Sequence, residues 1–227
     1  MSKDDTTKQR IMLAAGPIFA KKGFRGATVR EISDAAKVNL ASINYYFGDK
    51  QQLYIDTVFL ARQMRVQQVP FPKWETSTPA EEKLSGFVDL MLRRLMASQS
   101  MPWPVRLLMR EIMQPTEACR QLSEEYFRPF FEALMTIIDE IAGRELPLVQ
   151  RRQMAFSIIG QCLYYRFAGD VATMLIDDTE IEEQFEIESL KKHIADFSIA
   201  AIRGIACGPD AAEVTDMKRS STNKTNT

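Results

Sequence analysis

Hydrophobic positions recur at helical spacing along most of the chain. Near the N-terminus, Ile11, Ala15, Ile18 and Phe19 form one apolar stripe, which predicts a helix over about 6–22. Further stripes of this kind predict helices near 80–98, 104–113 and 122–142. No alternation of apolar and polar residues persists long enough to indicate a strand. The pattern therefore predicts an all-α fold of about nine helices.

Glycine and proline positions modify these helices. Gly23 is expected to end the first helix, and the residues before about 6 are expected to form a mobile arm. Pro17 lies inside the first helix and predicts a kink, because proline removes a backbone hydrogen bond. Pro129 lies inside the 122–142 stretch and predicts a kink or a restart there.

The last two helical stretches, near 147–168 and 180–206, carry long apolar stripes. The second stripe has a spacing close to that of a coiled-coil seam. It consists of Ile187, Leu190, Ile194, Phe197, Ala201 and Ile205. Two interpretations remain open, an interface between two copies of the chain or core within one copy. The stretch 208–227 is rich in polar residues and is predicted to be a disordered tail.

Residues 28–53 have the pattern of two short helices, a tight turn and the start of a third helix. Thr28 is a good N-cap for a helix that ends near residue 36, and Lys37-Val38-Asn39 forms a three-residue turn. The next helix begins at Leu40, and Asp49 caps the one after it. Two helices joined by so short a turn predict a helix-turn-helix, whose second helix enters the major groove of DNA.

Polar and small side chains of this stretch supply the candidate DNA contacts. Threonine, tyrosine and lysine suit phosphate, whereas serine, asparagine and arginine suit base edges, and a small alanine permits close approach. The candidates are Thr28, Arg30, Asn39, Ala41, Ser42, Asn44, Tyr45, Tyr46 and Lys50.

The net charge of −1 conceals an uneven distribution. Residues 1–75 carry 12 basic and 7 acidic side chains, a net charge of +5, so the remainder carries −6. A basic N-terminal part suits a module that meets phosphate while the rest of the chain stays clear of it.

The helix-turn-helix stretch closely resembles the DNA-binding domain of the TetR family of transcriptional regulators. The matching positions are Thr28, Ile32, Ala35, Ala36, Val38, Ile43, Tyr46, Phe47, Lys50 and Leu53. The family usually has glycine at the turn position held by Lys37, where a left-handed lysine costs about 1 kcal/mol. Ala41 and Asn44 also depart from the family's pattern, and these two departures bear on which operator sequence is read.

The C-terminal part is similar to the CecR-like subgroup of this family. The similar segments are Arg110-Glu111, Gln114-Pro115-Thr116 and Gly160–Arg166. The resemblance implies a DNA-binding domain over residues 1–50 and an effector-binding and dimerisation domain over 51–207. It also implies a homodimer that binds a palindromic double-stranded DNA operator, most often a repressor, with Ile187, Leu190, Ile194, Phe197 and Ala201 in the dimer interface.

Large aromatic and methionine side chains are frequent in the C-terminal part and suit an adaptable apolar pocket. The resemblance implies that an unknown small-molecule effector binds there, although such stripes also occur in ordinary helical cores. The candidate lining residues are Trp103, Arg106, Met113, Phe127, Phe131, Gln161 and Tyr165.

The sequence favours a non-enzyme without cofactor, metal or membrane partner. His193 is the single histidine, and no catalytic or phosphate-binding motif is present. Three cysteines without a CxxC pair indicate a reducing, cytoplasmic setting. No apolar run approaches the roughly 18 residues of a membrane-spanning helix. The alternative function is a helical ligand-binding or interaction protein without DNA binding.

Overall fold

The computed structural model of the chain describes residues 3–96 and 102–207. This part contains α-helices joined by short loops and one π-helical segment, with no strand among the described residues. The predicted all-α class is therefore confirmed. The tail predicted for residues 208–227 lies outside the described residues.

The first half of the fold begins with the predicted helix-turn-helix region. The helices are α1 (Lys3–Gly26), α2 (Val29–Ala36), α3 (Leu40–Phe47), α4 (Lys50–Gln68), α5 (Ala80–Met96) and α6 (Trp103–Met113). The second half consists of α7 (Glu117–Leu122), the π-helical segment Ser123–Phe127, α8 (Arg128–Ala142), α9 (Leu148–Phe167), α10 (Gly169–Leu175), α11 (Asp178–Gln184) and α12 (Ile187–Ala206).

The helix boundaries differ from the sequence-based ones at three places. The helix predicted over 122–142 is divided into the end of α7, the π-helical segment and α8, which restarts at Arg128, next to Pro129 as expected. The helix predicted over 180–206 is interrupted before Ile187. Helix α1 begins at Lys3, so the expected mobile arm is wrong for residues 3–6, which continue the first helix.

Helix α1 continues through Pro17, and the expected kink there is wrong. The backbone departs from helical geometry instead at Gly23, with φ 71° and ψ 177°. Pro17 is exposed, whereas Ile11, Ala15 and Phe19 on the opposite face are fully buried. The packing of this buried face offsets the backbone hydrogen bond that proline removes, so α1 continues past Pro17.

The described residues pack into two compact units. The first runs to Phe71 and also includes Arg93–Phe130, and the second includes Pro72–Leu92 and the residues from Phe131 onward. Helices α4, α6 and α7 therefore belong to the same unit as the helix-turn-helix. This grouping reflects packing alone, and the functional boundary near residue 50 stays a prediction.

Two glycines let α6 lie directly on α1 in the first unit. A Cβ atom added to Gly16 would lie 2.4 Å from the Trp103 ring, and one added to Gly23 would lie 2.5 Å from Nε of Arg110. Gly16 and Gly23 are seven residues apart on α1, and Trp103 and Arg110 are seven residues apart on α6. The two pairs therefore mark successive contacts between the same two helices. A larger side chain at Gly16 would push the Trp103 ring and α6 away from α1, whereas one at Gly23 would displace the flexible Arg110 side chain and strain a left-handed backbone.

A buried polar network joins α4 to α6. The Tyr54 hydroxyl donates a hydrogen bond to Glu111, whose side chain is fully buried. The other carboxylate oxygen of Glu111 accepts hydrogen bonds from the backbone N–H of Thr116 at 3.2 Å and from its hydroxyl at 2.8 Å. Burial, followed by the hydrogen bond to Glu111, raises the pKa of Tyr54 above its ordinary value. Tyr54 also packs edge-on against Phe19, so the network reaches α1.

In the second unit α12 packs against α9. Buried side chains of both helices form this contact: Met154, Ala155, Ile158 and Cys162 on α9, and Leu190, Ile194, Ala195, Ser198 and Ile202 on α12. Arg151 of α9 pairs with Asp139 of α8 at 2.9 Å. No helix of the described part is long and apolar enough to cross a membrane.

Candidate nucleic-acid interface

The structure confirms the helix-turn-helix. The Thr28 side chain accepts a hydrogen bond from the backbone N–H of Glu31 at 3.2 Å and so caps α2. Helix α2 ends at Ala36, and the residue after it, Lys37, has the left-handed conformation expected from the sequence, with φ 53° and ψ 48°. The backbone N–H groups of Lys37 and Val38 return to carbonyls of α2 at 3.2 and 3.0 Å, which closes the turn.

The buried face of α2 combines apolar and polar residues. Ile32 and Ala36 are buried, but the third apolar match to the family, Ala35, is exposed. Ser33 takes its place in the core, because its hydroxyl is satisfied by the carbonyl of Arg30 at 2.8 Å. A serine whose hydroxyl bonds back to its own helix is compatible with burial, and this is hard to recognise from apolar spacing.

Burial of Ile43 and Phe47 fixes which side of α3 faces outward. Asn39 caps the helix, because its side-chain oxygen accepts from the backbone N–H of Ala41 at 3.0 Å. The outward residues form the reading face of α3: Asn39, Leu40, Ala41, Asn44 and Tyr45 are exposed, and Ser42 and Tyr46 are half-buried at its edges. Of the larger side chains, Tyr45 projects furthest, with 78% of its surface exposed.

Two of the candidate DNA contacts are also tied within the protein. Lys50 donates a hydrogen bond to the Ala27 carbonyl at 2.9 Å, and its ammonium lies 4.7 Å from the centre of the Phe24 ring. The Tyr46 hydroxyl donates to Asp4 at 3.0 Å. Both side chains therefore hold the helix-turn-helix together, a role that the motif spacing alone did not indicate.

The cations around α2 and α3 differ in how far they are neutralised. Lys22 pairs with Glu31 at 2.7 Å, and Lys8 pairs with Asp56 at 2.8 Å. Arg30 and Lys37 are exposed near the start and the end of α2. Exposed cations beside a reading helix are suited to phosphate contacts, which position the protein on DNA.

The predicted dimer-interface residues do not all lie on the surface. Leu190 and Ile194 are 2% and 0% exposed within a single chain, so they belong to its own core and their assignment to an interface is wrong. Ile187 is half-buried, whereas Phe197 and Ala201 are exposed. The apolar stripe of α12 thus includes a buried face and an exposed face, which the spacing of apolar residues alone does not separate.

A second exposed apolar stripe, not predicted from the sequence, lies on α9. Phe156, Tyr164 and Phe167 are at least half exposed there and are spaced at helical intervals with Gly160 between them. On α12 the exposed Phe197 is followed by small exposed residues at Ala200, Ala201 and Gly204. These residues together form the α9–α12 surface. Small residues between aromatic ones at i+3 and i+4 were the signal that could have found it.

The candidate effector residues are divided between the two units. Trp103, Arg106, Met113 and Phe127 belong to the first, and Phe131, Gln161 and Tyr165 belong to the second. Trp103 packs over Gly16, and Met113 is 68% exposed. Phe131 lies 4.9 Å from the Phe156 ring, and Tyr165 lies 5.4 Å from the Phe185 ring. Their convergence on one pocket stays a prediction.

Comparison with protein families gives two matches that together span most of the chain. Residues 11–57 match the family described as bacterial regulatory proteins of the tetR family. Residues 80–202 match the C-terminal domain of the HTH-type transcriptional dual regulator CecR. The first match contains the helix-turn-helix, and the second covers most of the remaining helices.

Individual relatives agree with these matches. The transcriptional dual regulator CecR of Shigella flexneri is 24% identical over 193 residues, which cover 80% of this chain and 85% of that protein. The transcriptional repressor NicS of Pseudomonas putida is 43% identical over 54 residues, but these cover only 24% of this chain and 26% of NicS.

Solved structures show the same fold at low identity. A TetR-like transcriptional regulator from Rhodococcus sp. RHA1 superposes with a TM-score of 0.62 at 16% identity, over 89% of this chain and 97% of that one. HlyIIR, a hemolysin II transcriptional regulator, superposes with a TM-score of 0.54 at 18% identity, over 84% and 98% of the two chains.

Proposed function

Because the chain belongs to the TetR family of transcriptional regulators, with a C-terminal domain of the CecR type, we propose that it acts as a homodimeric repressor. The dimer binds a palindromic DNA operator and is released from it by a small-molecule effector. The observation that carries this proposal is the reading face of α3, whose polar and aromatic side chains project from a helix anchored by Ile43 and Phe47.

In this proposal α3 enters a major groove of the operator. Asn44 and Ser42 contact base edges, with Asn39 and Arg30 beside them, and Ala41 allows the helix to approach the bases closely. Thr28, Tyr45, Tyr46 and Lys50 bind phosphates, and the exposed Lys37 adds a further cation. Lys50 reaches phosphate only with the donor capacity that its bond to Ala27 leaves free.

A second copy of the chain is proposed to cover the α9–α12 surface. Phe156, Tyr164 and Phe197 are each more than half exposed, although large aromatic residues are rarely left on the surface in groups. The small residues Gly160, Ala200 and Gly204 between them allow close approach of helices. A two-fold axis through this surface would relate the two α3 helices of the dimer by the same symmetry as a palindromic site.

The effector is proposed to act on α4, which directly follows the reading helix. Tyr54 and Glu111 link α4 to α6, and Trp103 and Arg110 link α6 to α1. A ligand that moves α4 or α6 therefore moves the reading helix. The ligand releases DNA only to the extent that it binds the released state more tightly than the DNA-bound state.

Fluorescence anisotropy with labelled DNA from upstream of the protein's own gene tests the proposal. Scrambled DNA of equal length serves as the control, and both are measured at two salt concentrations. Tighter binding to the native DNA, weakening with salt as phosphate contacts require, supports the proposal. A folded protein that binds neither DNA at low salt is instead a ligand-binding or interaction protein without DNA binding.

A further inference from the structure

Three arginines, Arg62, Arg65 and Arg94, gather where α4 and α5 end, and together they form the arginine cluster. Arg65 and Arg94 are only 5% and 9% exposed, and Arg62 is half-buried. Arg65 donates to the carbonyls of Arg93 and Arg94 at 3.0 and 2.7 Å, and Arg94 donates twice to the carbonyl of Val69, at 3.0 and 2.8 Å. Two of the guanidinium groups thus cap the last carbonyls of two helices.

This capping does not neutralise the cluster. The C-terminal ends of two helices supply the equivalent of about one negative charge in total, against three guanidinium groups, which leaves about two positive charges. In the part of the chain that the structure describes, no carboxylate pairs with any of the three. Burial, followed by the charge of Arg94, lowers the pKa of Arg65, and burial also lowers the pKa of Arg94. Buried charges in proteins are normally paired, so a missing counter-ion needs an explanation.

Unused donors remain in the cluster. The Nε atoms of Arg62 and Arg65 are buried and have no hydrogen-bond partner. Arg62 donates no hydrogen bond within the described residues. The capping of helix ends therefore explains Arg65 and Arg94 but gives Arg62 no role.

An aromatic platform lies beside the cluster. The guanidinium of Arg62 is 5.1 Å from the centre of the Tyr126 ring, and that of Arg94 is 5.8 Å from Tyr126 and 5.9 Å from Phe130. The rings of Tyr126 and Phe130 are stacked at 6.3 Å, and Phe71 meets Phe130 edge-on at 5.9 Å. Tyr126 belongs to the π-helical segment, a distortion found frequently at functional sites.

We propose that the arginine cluster binds the carboxylate of a small aromatic acid whose ring lies against Tyr126 and Phe130. The carboxylate supplies the missing negative charge and accepts hydrogen bonds from the guanidinium groups, whose forked geometry matches a carboxylate. The ring adds apolar contact with the aromatic platform. This names the chemical class of the effector and so rests on the effector part of the proposed function.

The site lies at the end of α4 that is remote from the DNA-reading face. Arg62 and Arg65 are in the last two turns of α4, whose first residue, Lys50, follows the reading helix α3 after a two-residue break. An acid that draws Arg62 and Arg94 together acts on the C-terminal ends of both α4 and α5. Ligand binding in the arginine cluster is thereby connected to the orientation of α3.

The binding experiment uses the full-length protein without DNA. Its melting temperature and calorimetric binding are measured with sodium benzoate, with the neutral analogue benzamide, and with acetate, all at one ionic strength. At ten times its Kd, benzoate is expected to raise the melting temperature by about 3 °C or more, whereas benzamide has no effect. Acetate lacks the ring and is expected to bind at least about tenfold more weakly than benzoate.

Two variants locate the site. Arg62→Met removes one guanidinium but keeps an apolar side chain against Tyr126, and it is expected to weaken benzoate binding about tenfold or more. Arg144→Met removes the same charge from the exposed loop between α8 and α9 and should bind benzoate like the parent. Cooperative melting of both variants without ligand verifies that they fold.

The outcomes separate this inference from the proposed function. Benzoate that binds no better than benzamide, or equally well to Arg62→Met, overturns the site, and acetate that equals benzoate overturns the role of the aromatic platform. If benzoate binds but leaves the protein–operator complex intact, the site stands and its effector role fails. If another compound releases the operator while benzoate does not bind, the proposed function stands and this inference fails.

Discussion

Individual side chains on the reading face of α3 can be changed without disturbing the core, because they project away from it. Asn44→Ala and Tyr45→Ala should each weaken operator binding about tenfold or more, since a good base contact contributes about 1–3 kcal/mol and a hydrogen bond to a charged phosphate about 1.5–3 kcal/mol. Their melting temperatures should stay within about 1 °C of the parent, because exposed substitutions change stability little. Anisotropy titrations and thermal melts measure both quantities.

A matched control for these two variants is Met174→Ala, which truncates a side chain that is 81% exposed on α10. It should leave operator affinity unchanged. If Asn44→Ala and Tyr45→Ala bind the operator as tightly as this control, α3 is not the reading helix.

Lys50 contributes to stability as well as to the proposed phosphate contact. Lys50→Met removes a hydrogen bond to the Ala27 carbonyl and a cation–π contact with Phe24, so the free energy of unfolding should fall by about 1–2 kcal/mol. Chemical denaturation measures this loss. Lys21→Met, at an exposed lysine, is the control and should unfold like the parent. An unchanged stability together with weaker DNA binding would assign Lys50 to phosphate alone.

The hydroxyl of Tyr54 predicts a pH dependence of stability. Its pKa is raised in the folded protein by burial and by Glu111, so the folded state keeps the proton at a pH where the unfolded state loses it. This contribution is complete below the unfolded value of about 10 and is lost at higher pH, by about 1.4 kcal/mol per pH unit.

Urea unfolding is compared at about pH 9 and about pH 11, on either side of the pKa of about 10 of tyrosine in an unfolded chain. Tyr54→Phe should have a flatter dependence than the parent and a lower stability near pH 7, because Glu111 loses a buried partner at a cost of about 1–3 kcal/mol. Tyr45→Phe, at an exposed tyrosine, should keep the slope of the parent. Equal slopes for the parent and Tyr54→Phe would contradict the assignment.

The sequence identified these residues better than it identified their roles. The spacing of the helix-turn-helix located Thr28, Lys37 and Lys50 correctly, and the left-handed conformation of Lys37 is the one that the family's usual glycine at this position implied. The partner of Lys50, however, lies 23 residues away in the chain, at Ala27. Contacts over such distances depend on how helices cross, which local patterns do not contain.

At the scale of helices, the crossing of α1 and α6 depends on Gly16. Gly16→Ala places a Cβ atom 2.4 Å from the Trp103 ring, so one helix must move, and the free energy of unfolding should fall by about 1–3 kcal/mol. Helix propensity alone predicts the opposite change, because alanine is more favourable than glycine within a helix by about 1 kcal/mol. Packing therefore predicts a loss of stability in Gly16→Ala, and propensity predicts a gain. Chemical denaturation decides between them.

Gly26→Ala is the matched control, because its added Cβ would meet only the Cβ of Lys22, at 3.4 Å. This variant should be as stable as the parent or slightly more stable. If Gly16→Ala is stabilised to the same extent, the close contact between α1 and Trp103 does not determine the crossing.

Helical periodicity located most elements but not their ends or their faces. The apolar stripe predicted on α12 exists, yet Leu190 and Ile194 are buried within the chain whereas Phe197 is 59% exposed. Apolar residues spaced three and four apart can lie on the buried edge or on the exposed edge of a wide stripe. Only the position of the neighbouring helix decides which edge is buried. The continuity of α1 through Pro17 likewise depends on a buried face supplied by other helices.

For the whole molecule, the exposed α9–α12 surface predicts the oligomeric state. Phe197→Glu places a charge at the centre of the proposed interface, where desolvating it costs far more than an exposed substitution, so the dimer should dissociate. Sedimentation or light scattering should then give the mass of one 25.9 kDa chain, with α12 still folded because Leu190 and Ile194 remain buried. Met174→Glu, at an apolar position on α10 that is still more exposed, should remain dimeric.

Phe197→Glu also tests whether the proposed dimer is needed for operator binding. A palindromic operator is bound by two α3 helices, so a monomer loses the second contact and should bind at least about 10²-fold more weakly, since linked sites gain 10²–10⁴-fold over single ones. The reading face itself is unchanged in Phe197→Glu, and affinity for a single half-site should therefore equal that of the parent. Anisotropy with full-site and half-site DNA measures both values. Full-site binding as tight as that of the parent, from a protein that is monomeric in solution, would mean that the two subunits meet on DNA through a surface other than α9–α12.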